Sequence, residues 1–179
     1  MREIEVKAKL CNKDNFLVAA EKFGIDFSDP VVQEDATYES ELDYADPNWN
    51  IFRLRKQNSK VILTMKHKAS TRSRDNFEYE TIVGNVDETI KILERLGYKL
   101  GVVIKKQRRT AKYNDLEICM DSVAGLGDFV EIEKLADDNA DVDKIQLELW
   151  SILNKLGITN SARVHKGYDT LMHEQKSVK

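Results

Sequence analysis

The chain opens with an alternating stretch, Arg2-Glu-Ile-Glu-Val-Lys-Ala-Lys-Leu10. Apolar residues occupy the even positions from 4 to 10, and charged residues occupy the odd positions from 3 to 9. A period of two predicts a β-strand with one buried face, because successive side chains of a strand point to opposite sides. Taken alone, this stretch fits an ordinary surface strand whose charged face meets water.

The same charged alternation recurs along the chain and changes that interpretation. Later strand-like segments carry two acids or two bases on one parity, and these pairs are Arg53/Arg55, Lys66/Lys68, Glu78/Glu80, Lys106/Arg108, Glu117/Asp121 and Glu131/Glu133. Charged faces of opposite sign are most stable when they face one another. A closed barrel with a charged interior allows this, and it inverts the usual small barrel, which apolar side chains fill.

The periodicity predicts about eight strands, mostly in hairpins, and three amphipathic helices. The strands are expected at 2–10, 31–39, 51–56, 61–68, 77–83, 100–113, 116–123 and 128–135, and the helices at 12–23, between Asn85 and Gly97, and at 141–156, with a short one at 164–172. This set predicts an α+β fold, a closed antiparallel β-barrel with outer helices. One domain is expected over residues 1–172, followed by a disordered tail at 173–179.

Composition excludes several functional classes. The 179 residues carry a net charge of -3, which argues against a generally basic nucleic-acid binder. No aromatic platform interleaves the basic strands, which argues against sequence-specific nucleic-acid binding. Two cysteines make no disulfide framework, the N-terminus lacks the apolar core of a signal peptide, and no apolar run approaches the ~20 residues that span a bilayer. We predict a cytoplasmic protein without a membrane segment.

The predicted interior has an even balance of charge. Its acids are Glu3, Glu5, Glu78, Glu80, Glu117, Asp121, Glu131 and Glu133, and its bases are Lys7, Lys9, Arg53, Arg55, Lys66, Lys68, Lys106 and Arg108. Burying so many charges is costly, so a hydrated tunnel that takes up a charged ligand is expected. Lysine and arginine suit phosphate, and paired carboxylates suit a hard divalent cation such as Mg²⁺. The three histidines show no zinc-type spacing.

A series of motifs resembles the CYTH superfamily, the triphosphate tunnel metalloenzymes. In chain order they are Glu3–Lys7 (E-x-E-x-K), Phe52–Arg55 (R-x-R), Leu63–Lys66 (L-T-x-K), Arg74–Glu80 (R-x-x-x-E-x-E), Ile104–Arg109 (I-x-K-x-R), Asp121–Glu133 (the acid followed by G-L-G-x-F-x-E-I-E) and Gly167–Leu171 (S-Y-x-D-L-L). Gln107 and the Gly125–Phe129 turn look most like the class IV adenylyl cyclase branch. The chain departs from the pattern at Gly167, where serine is usual, and at His67-Lys68, where Gly-Pro is common.

This resemblance implies a set of site residues. Mg²⁺ or Mn²⁺ would be bound by Glu3, Glu5, Glu131 and Glu133, with help from Asp121. The triphosphate would be held by Lys7, Arg53, Arg55, Lys66, Arg74, Lys106 and Arg108. Among these, Lys7, Lys66 and Arg108 are the predicted catalytic residues. The resemblance also suggests a homodimer, for which the sequence shows no interface.

Three functions remain open at this point. The first is a class IV adenylyl cyclase that converts ATP to cyclic AMP and pyrophosphate. The second is an inorganic or thiamine triphosphatase that hydrolyses a terminal phosphate. The third is a non-catalytic module that binds polyphosphate or an RNA 5′ end, in which the acids only balance the charge of the bases.

Overall fold

The computed structural model describes residues 2–40, 50–68 and 75–177. Within these ranges the strands are β1 (Arg2–Leu10), β2 (Val31–Glu39), β3 (Asn50–Gln57), β4 (Lys60–Lys68), β5 (Asp75–Ile82), β6 (Lys99–Tyr113), β7 (Leu116–Val123) and β8 (Gly127–Ala136). The helices are α1 (Lys13–Lys22), α2 (Val86–Arg95), α3 (Val142–Lys155) and α4 (Tyr168–Ser177), with a short 3-10 turn at Asn160–Ala162. The predicted strands are confirmed, with bounds that differ by a few residues at most.

The strands close into an antiparallel barrel in the order β1-β5-β4-β3-β2-β6-β7-β8. This confirms the predicted fold. Two of the tight hairpins place an asparagine at positive φ, Asn58 at 53° and Asn114 at 55°. Asparagine tolerates this left-handed conformation better than most residues, so the sequence defines where these hairpins turn.

The seam between β1 and β5 is short. β1 pairs with β8 along its whole length, but it pairs with β5 only from Arg2 to Ile4. The segment after α3 covers part of the remaining edge of β1. There the Val164 N–H donates to the Lys7 carbonyl at 2.9 Å, and Arg163 forms a bridge with Ala8.

The apolar strand faces point outward, beneath the helices. On one side, α1 and α3 pack on β1, β6, β7 and β8, where Ile118, Ile132 and Leu153 are fully buried. On another side, α2 inserts Leu93 against Leu54 and neighbouring side chains of β2 to β4. These two hydrophobic clusters therefore lie outside the barrel. A third cluster, Val102, Ile104, Val123 and Phe129 with Tyr168, has its strand residues on the same parity as the inward charges of β6, β7 and β8.

Each of the first three helices begins at a side chain that caps it. Asn12 accepts from the Asn15 N–H at 2.9 Å, Asn85 accepts from the Glu88 N–H at 3.1 Å, and Asp141 accepts from the backbone N–H three residues on, at 3.1 Å. Such caps satisfy N–H groups that have no partner within the helix. None of the helices in the described part of the chain is both long and apolar enough to span a membrane.

The last helix extends beyond the predicted end of the domain. α4 continues five residues past Met172 to Ser177, into the segment that the sequence analysis predicts to be disordered. Several contacts hold these residues: Gln175 Nε2 donates to the Gly125 carbonyl at 2.9 Å, Glu174 pairs with Lys166, and His173 Nε2 lies 3.5 Å from Glu39. These contacts depend on the tertiary structure, which the local composition of the segment does not reveal.

The outer core provides a test of stability. Leu153→Ala, at a fully buried position of α3, should lower the free energy of unfolding by about 2–5 kcal/mol because it leaves a cavity. Leu147→Ala, on the same helix but 72% exposed, should change it by less than about 0.5 kcal/mol. Urea denaturation followed by circular dichroism measures both. Equal effects of the two substitutions would contradict the assignment of this core.

Candidate functional site

A cavity of about 860 Å³ occupies the barrel interior. Its lining contains most of the charged residues predicted to face inward, and these are Glu3, Glu5, Lys7, Arg53, Arg55, Lys66, Glu78, Glu80, Lys106, Arg108, Glu117, Glu131 and Glu133. Asp121 is fully buried within the barrel, beneath Arg108. The structure therefore gathers the alternating charges of the strands around one space.

Three predicted basic residues are not placed in this space. Lys9 is exposed near the end of β1, with its ammonium 5.7 Å from the ring centroid of Phe129. Arg74 and the side chain of Lys68 lie outside the described residues, so their predicted positions stay predictions.

Two acids that line the cavity were not predicted to do so, Asp35 and Asp169. Asp35 on β2 is 3% exposed, and its neighbours of the same parity, Gln33 and Thr37, are also buried. The pattern of paired charges does not include Asp35, because β2 carries a single inward acid between two uncharged polar residues. The sequence signal that indicates an inward position for Asp35 is the alternation of three polar residues, Gln33, Asp35 and Thr37, within a predicted strand.

The cations at the β2–β5 side of the cavity are held by carboxylates and a hydroxyl. Arg55 donates to both oxygens of Asp35, at 2.7 and 2.8 Å, in the fork geometry typical of arginine. Lys66 pairs with Glu78. Arg53 donates through one nitrogen to Thr64 Oγ1 at 3.1 Å and to a carboxylate of β5 at 3.3 Å. Its Nε is buried and has no hydrogen-bond partner within the described part of the chain.

A second network lies deeper, between β1, β6, β7 and β8. Arg108 donates to both oxygens of Asp121, at 2.7 and 2.6 Å, and to Glu131 at 2.5 Å. Lys106 donates to Asp121 at 3.1 Å, and the Lys7 ammonium lies 2.7 Å from Glu131. The structure thus surrounds Asp121 and Glu131, two of the predicted metal ligands, with cations that they orient.

The other predicted ligands form a compact carboxylate cluster. Glu3, Glu5 and Glu133 each present an oxygen within 4.8 Å of the other two. Burial, with repulsion from Glu133, raises the pKa of Glu3 to about 9. Burial also raises the pKa of Glu133 to about 7, although Arg108 opposes this shift. Carboxylate oxygens are the ligands that hard divalent cations prefer, and a cation here would relieve the repulsion, so these residues fit such an ion.

A neighbouring group shares Glu133 with this cluster. Glu117 and the buried thiol of Cys119 also place ligand atoms within 4.8 Å of Glu133. The thiol donates to a Glu117 carboxylate oxygen at 3.8 Å, and burial raises its pKa. A neutral thiol with a carboxylate partner is a satisfied core cysteine, and of this group Glu117 and Glu133 line the cavity.

The cavity carries an excess of acid. Among the described residues that line it or lie directly beneath it, ten are acidic and eight are lysine or arginine, because Arg163, Lys166 and Asp169 line it besides the strand residues. The sum is a formal charge of -2 when all are ionised. Burial also shifts the pKa of a base. Burial and repulsion from Arg108 together lower the pKa of Lys106 to about 8.

Comparison with known proteins gives a consistent result. The family model for the CYTH domain matches residues 1–168. A Methanocaldococcus jannaschii protein that carries the name putative adenylate cyclase is 29% identical over 170 residues, which cover 94% of this chain and 97% of that protein.

Solved structures share the fold over nearly the whole chain. A Pyrococcus horikoshii protein superposes with a TM-score of 0.81 at 27% identity, covering 97% of this chain and 99% of that one. A Hippeastrum protein, described as a putative adenylyl cyclase with a dominant triphosphatase activity, superposes with a TM-score of 0.62 at 14% identity, covering 93% and 91%. At that identity the likeness concerns the fold alone.

The pair of Asp35 with Arg55 predicts a pH-dependent stability. Burial raises the pKa of Asp35, but hydrogen bonds and charge from Arg55 outweigh it and lower the pKa to about 2. Asp35→Asn should lower the free energy of unfolding at pH 7 by about 3 kcal/mol, because it leaves Arg55 buried without a counter-charge. The difference in free energy of unfolding between the wild type and Asp35→Asn should have its full value above pH ~4 and should decrease as the pH falls towards 2.

Urea denaturation between pH 7 and pH 2.5 measures this difference. The matched control is Glu34→Gln, which removes an exposed pair with Lys105 (3.1 Å) on the outer face of the same strand and should cost at most about 1 kcal/mol. An Asp35→Asn protein as stable as the control at pH 7 would contradict the prediction.

Proposed function

The chain belongs to the CYTH domain family, and on this premise we propose that it carries out divalent-metal-dependent phosphoryl chemistry on a triphosphate. One observation carries the proposal. A single cavity brings together six lysine and arginine side chains of strands β1, β3, β4 and β6 and a separate cluster of three carboxylates. Lysines and arginines bind phosphate oxygens, and the carboxylates bind a divalent cation.

The charge of the cavity supports a requirement for metal. The described residues of the cavity sum to a formal -2 when all are ionised, so the bases give the site no net positive charge for a triphosphate although each base attracts it. A divalent cation between Glu3, Glu5 and Glu133 would supply positive charge. Mg²⁺ and Mn²⁺ fit the all-oxygen donor set, and Mg²⁺ in particular is commonly held by one or two carboxylates and by substrate phosphates.

The residues of the chain have separable tasks in this proposal. The cation would be held by Glu3, Glu5 and Glu133 and would supply charge neutralisation at the phosphate oxygens. Arg108 lies between the two parts of the site, since its other terminal nitrogen is 3.8 Å from Glu133 while the same side chain is held by Asp121. It is therefore oriented to stabilise charge on the reacting phosphate next to the metal.

The remaining bases would bind the rest of the phosphate chain. Arg53, Arg55 and Lys66 come from neighbouring strands, and Lys7 and Lys106 lie deeper. Phosphoryl transfer depends mainly on positioning and charge stabilisation, so this set requires no covalent nucleophile. The catalytic roles of Lys7, Lys66 and Arg108, and the homodimer, stay predictions.

We favour an adenylyl cyclase reaction, ATP to cyclic AMP and pyrophosphate. The support is the Gly125–Phe129 turn and Gln107, which look like that branch, and the name of the Methanocaldococcus jannaschii relative. The alternative is hydrolysis of a terminal phosphate. The fold is compatible with it, because the Hippeastrum protein of the same fold is described with a dominant triphosphatase activity.

Product identification tests the proposal. The protein is incubated with ATP and Mn²⁺, and in parallel with inorganic tripolyphosphate and with thiamine triphosphate. Cyclic AMP with equimolar pyrophosphate is the expected result. Orthophosphate without cyclic AMP would identify the protein as a triphosphatase and contradict the cyclase reaction. No turnover of any substrate, combined with triphosphate binding that EDTA does not weaken, would contradict the enzyme and favour the binding module.

The metal cluster predicts a specific loss. Glu5→Gln keeps the size of a buried side chain but removes one charge from the cluster, so kcat with Mn²⁺ should fall by about 100-fold or more. Its affinity for Mn²⁺, measured by calorimetry without substrate, should fall as well. The control is Glu80→Gln, whose side chain is 50% exposed and lies outside the cluster, and it should keep wild-type Mn²⁺ affinity. Unchanged Mn²⁺ binding by Glu5→Gln would remove Glu5 from the metal site.

A further inference from the structure

Tyr168 is a buried residue of the cavity to which neither the charge pattern nor the proposed reaction assigns a task. It is the first residue of α4, and its side chain enters the barrel. Its hydroxyl donates to Asp121 Oδ2 at 3.1 Å. Its ring centroid lies 3.7 Å from the Lys7 ammonium and 5.2 Å from the Lys106 ammonium. On a further side, the ring packs edge-on against Phe129 with centroids 5.1 Å apart.

We propose that Tyr168 is a positioning residue that holds three of the phosphate-binding cations, Lys7, Lys106 and Arg108, in one fixed array. The inference rests on the proposed function, because it assigns those cations to the triphosphate. Tyr168 itself need not touch the substrate. It acts through two chemically different parts, the hydroxyl and the ring.

The hydroxyl acts through Asp121. That carboxylate receives two hydrogen bonds from Arg108 and one from Lys106, and both cations share Oδ2 with the Tyr168 hydroxyl. A donor from outside the charged set fixes the rotation of the carboxylate, and the carboxylate in turn fixes the plane of the guanidinium. A bidentate arginine acts on a reacting phosphate only when its plane is correctly oriented.

The ring acts directly on the two lysines. Lys7 and Lys106 are each about 2% exposed, so their ammonium groups have lost most of their water. The face of an aromatic ring attracts a cation, and the attraction is stronger when the cation is desolvated. The ring therefore attracts both desolvated ammonium groups, whereas an aliphatic side chain would offer no such attraction.

The backbone next to Tyr168 strengthens the same arrangement. The Val164 N–H donates to the Lys7 carbonyl at 2.9 Å, and Arg163 bridges Ala8. Lys7 is thus held at its main chain by residues 163–164 and at its ammonium by Tyr168. One short segment after α3 consequently fixes a cation that belongs to the first strand of the barrel.

Two variants separate the parts of this proposal. Tyr168→Phe keeps the ring and removes the hydroxyl. The KM for the triphosphate substrate should stay within about twofold of the wild type, while kcat should fall about three- to tenfold because Arg108 is less well oriented. Tyr168→Leu removes both, so KM should rise about tenfold, as expected for the loss of two desolvated cation–π contacts. The Kd of inorganic tripolyphosphate, titrated by calorimetry with Mn²⁺, should rise in parallel with KM.

The matched control is Leu171→Ala. Leu171 lies on the same helix and packs in the same apolar cluster as Tyr168, but it does not line the cavity. This substitution should lower Tm and leave the Kd for tripolyphosphate within about twofold of the wild type, because side chains remote from a charged site contribute little to it. Circular dichroism verifies that each variant is folded, and Tyr168→Phe decides the question if Tyr168→Leu is not.

The outcomes are distinguishable. A wild-type Kd in Tyr168→Leu, or a wild-type kcat in Tyr168→Phe, would overturn the positioning role while the proposed function stands. An equally weakened Kd in Leu171→Ala would also overturn it, because general packing of α4 would then explain the effect. Failure of the wild type itself to bind tripolyphosphate would overturn the proposed function and the role of Tyr168 together.

Discussion

The mutual neutralisation of charged strand faces is the interaction on which this structure depends. An antiparallel barrel of eight strands normally fills its interior with apolar side chains. Here most apolar strand residues pack outward against helices, and each described inward base lies against an acid of another strand, as Arg55 does against Asp35 and Arg108 against Asp121. Without these pairs, the desolvation of each buried ion would oppose closure of the barrel.

The same pairs constrain any ligand. A phosphate that binds Arg55 or Lys66 has to compete with a carboxylate that already occupies the donors. When phosphate replaces the carboxylate, the base keeps its hydrogen bonds. The displaced carboxylate then lies near the phosphate, and the two anions repel each other. A cation is the natural compensation, and the cluster of Glu3, Glu5 and Glu133 lies in the same cavity. Phosphate binding and metal binding are thus electrostatically coupled in the proposed reaction.

Sequence alone predicted the fold because alternation along each strand is a local property. The alternation in Glu3-Ile-Glu-Val-Lys7 shows which side of β1 is charged, and six later segments carry pairs of like charges on one parity in the same way. The identity of the pairing partners is not local. It depends on register, which places Glu131 opposite Lys7 on the neighbouring strand and brings Asp121 beneath Arg108. The cations around these two carboxylates therefore do not follow from the sequence pattern, and the metal-binding role that the family resemblance implies for Asp121 and Glu131 stays a prediction.

The places where neutralisation is incomplete are also the places where chemistry is proposed. Some inward acids are stabilised as anions; Arg55 and Lys66 hold the pKa values of Asp35 and Glu78 at about 2 despite burial. Glu3 differs, because burial and a neighbouring carboxylate raise its pKa to about 9. A barrel selected only for stability would gain by replacing such a residue with an apolar one or by giving it a cation. Retaining a buried carboxyl group that holds its proton at neutral pH, beside the phosphate-binding bases, makes sense when a cation displaces that proton, and strongly shifted pKa values in a cleft are typical of functional sites.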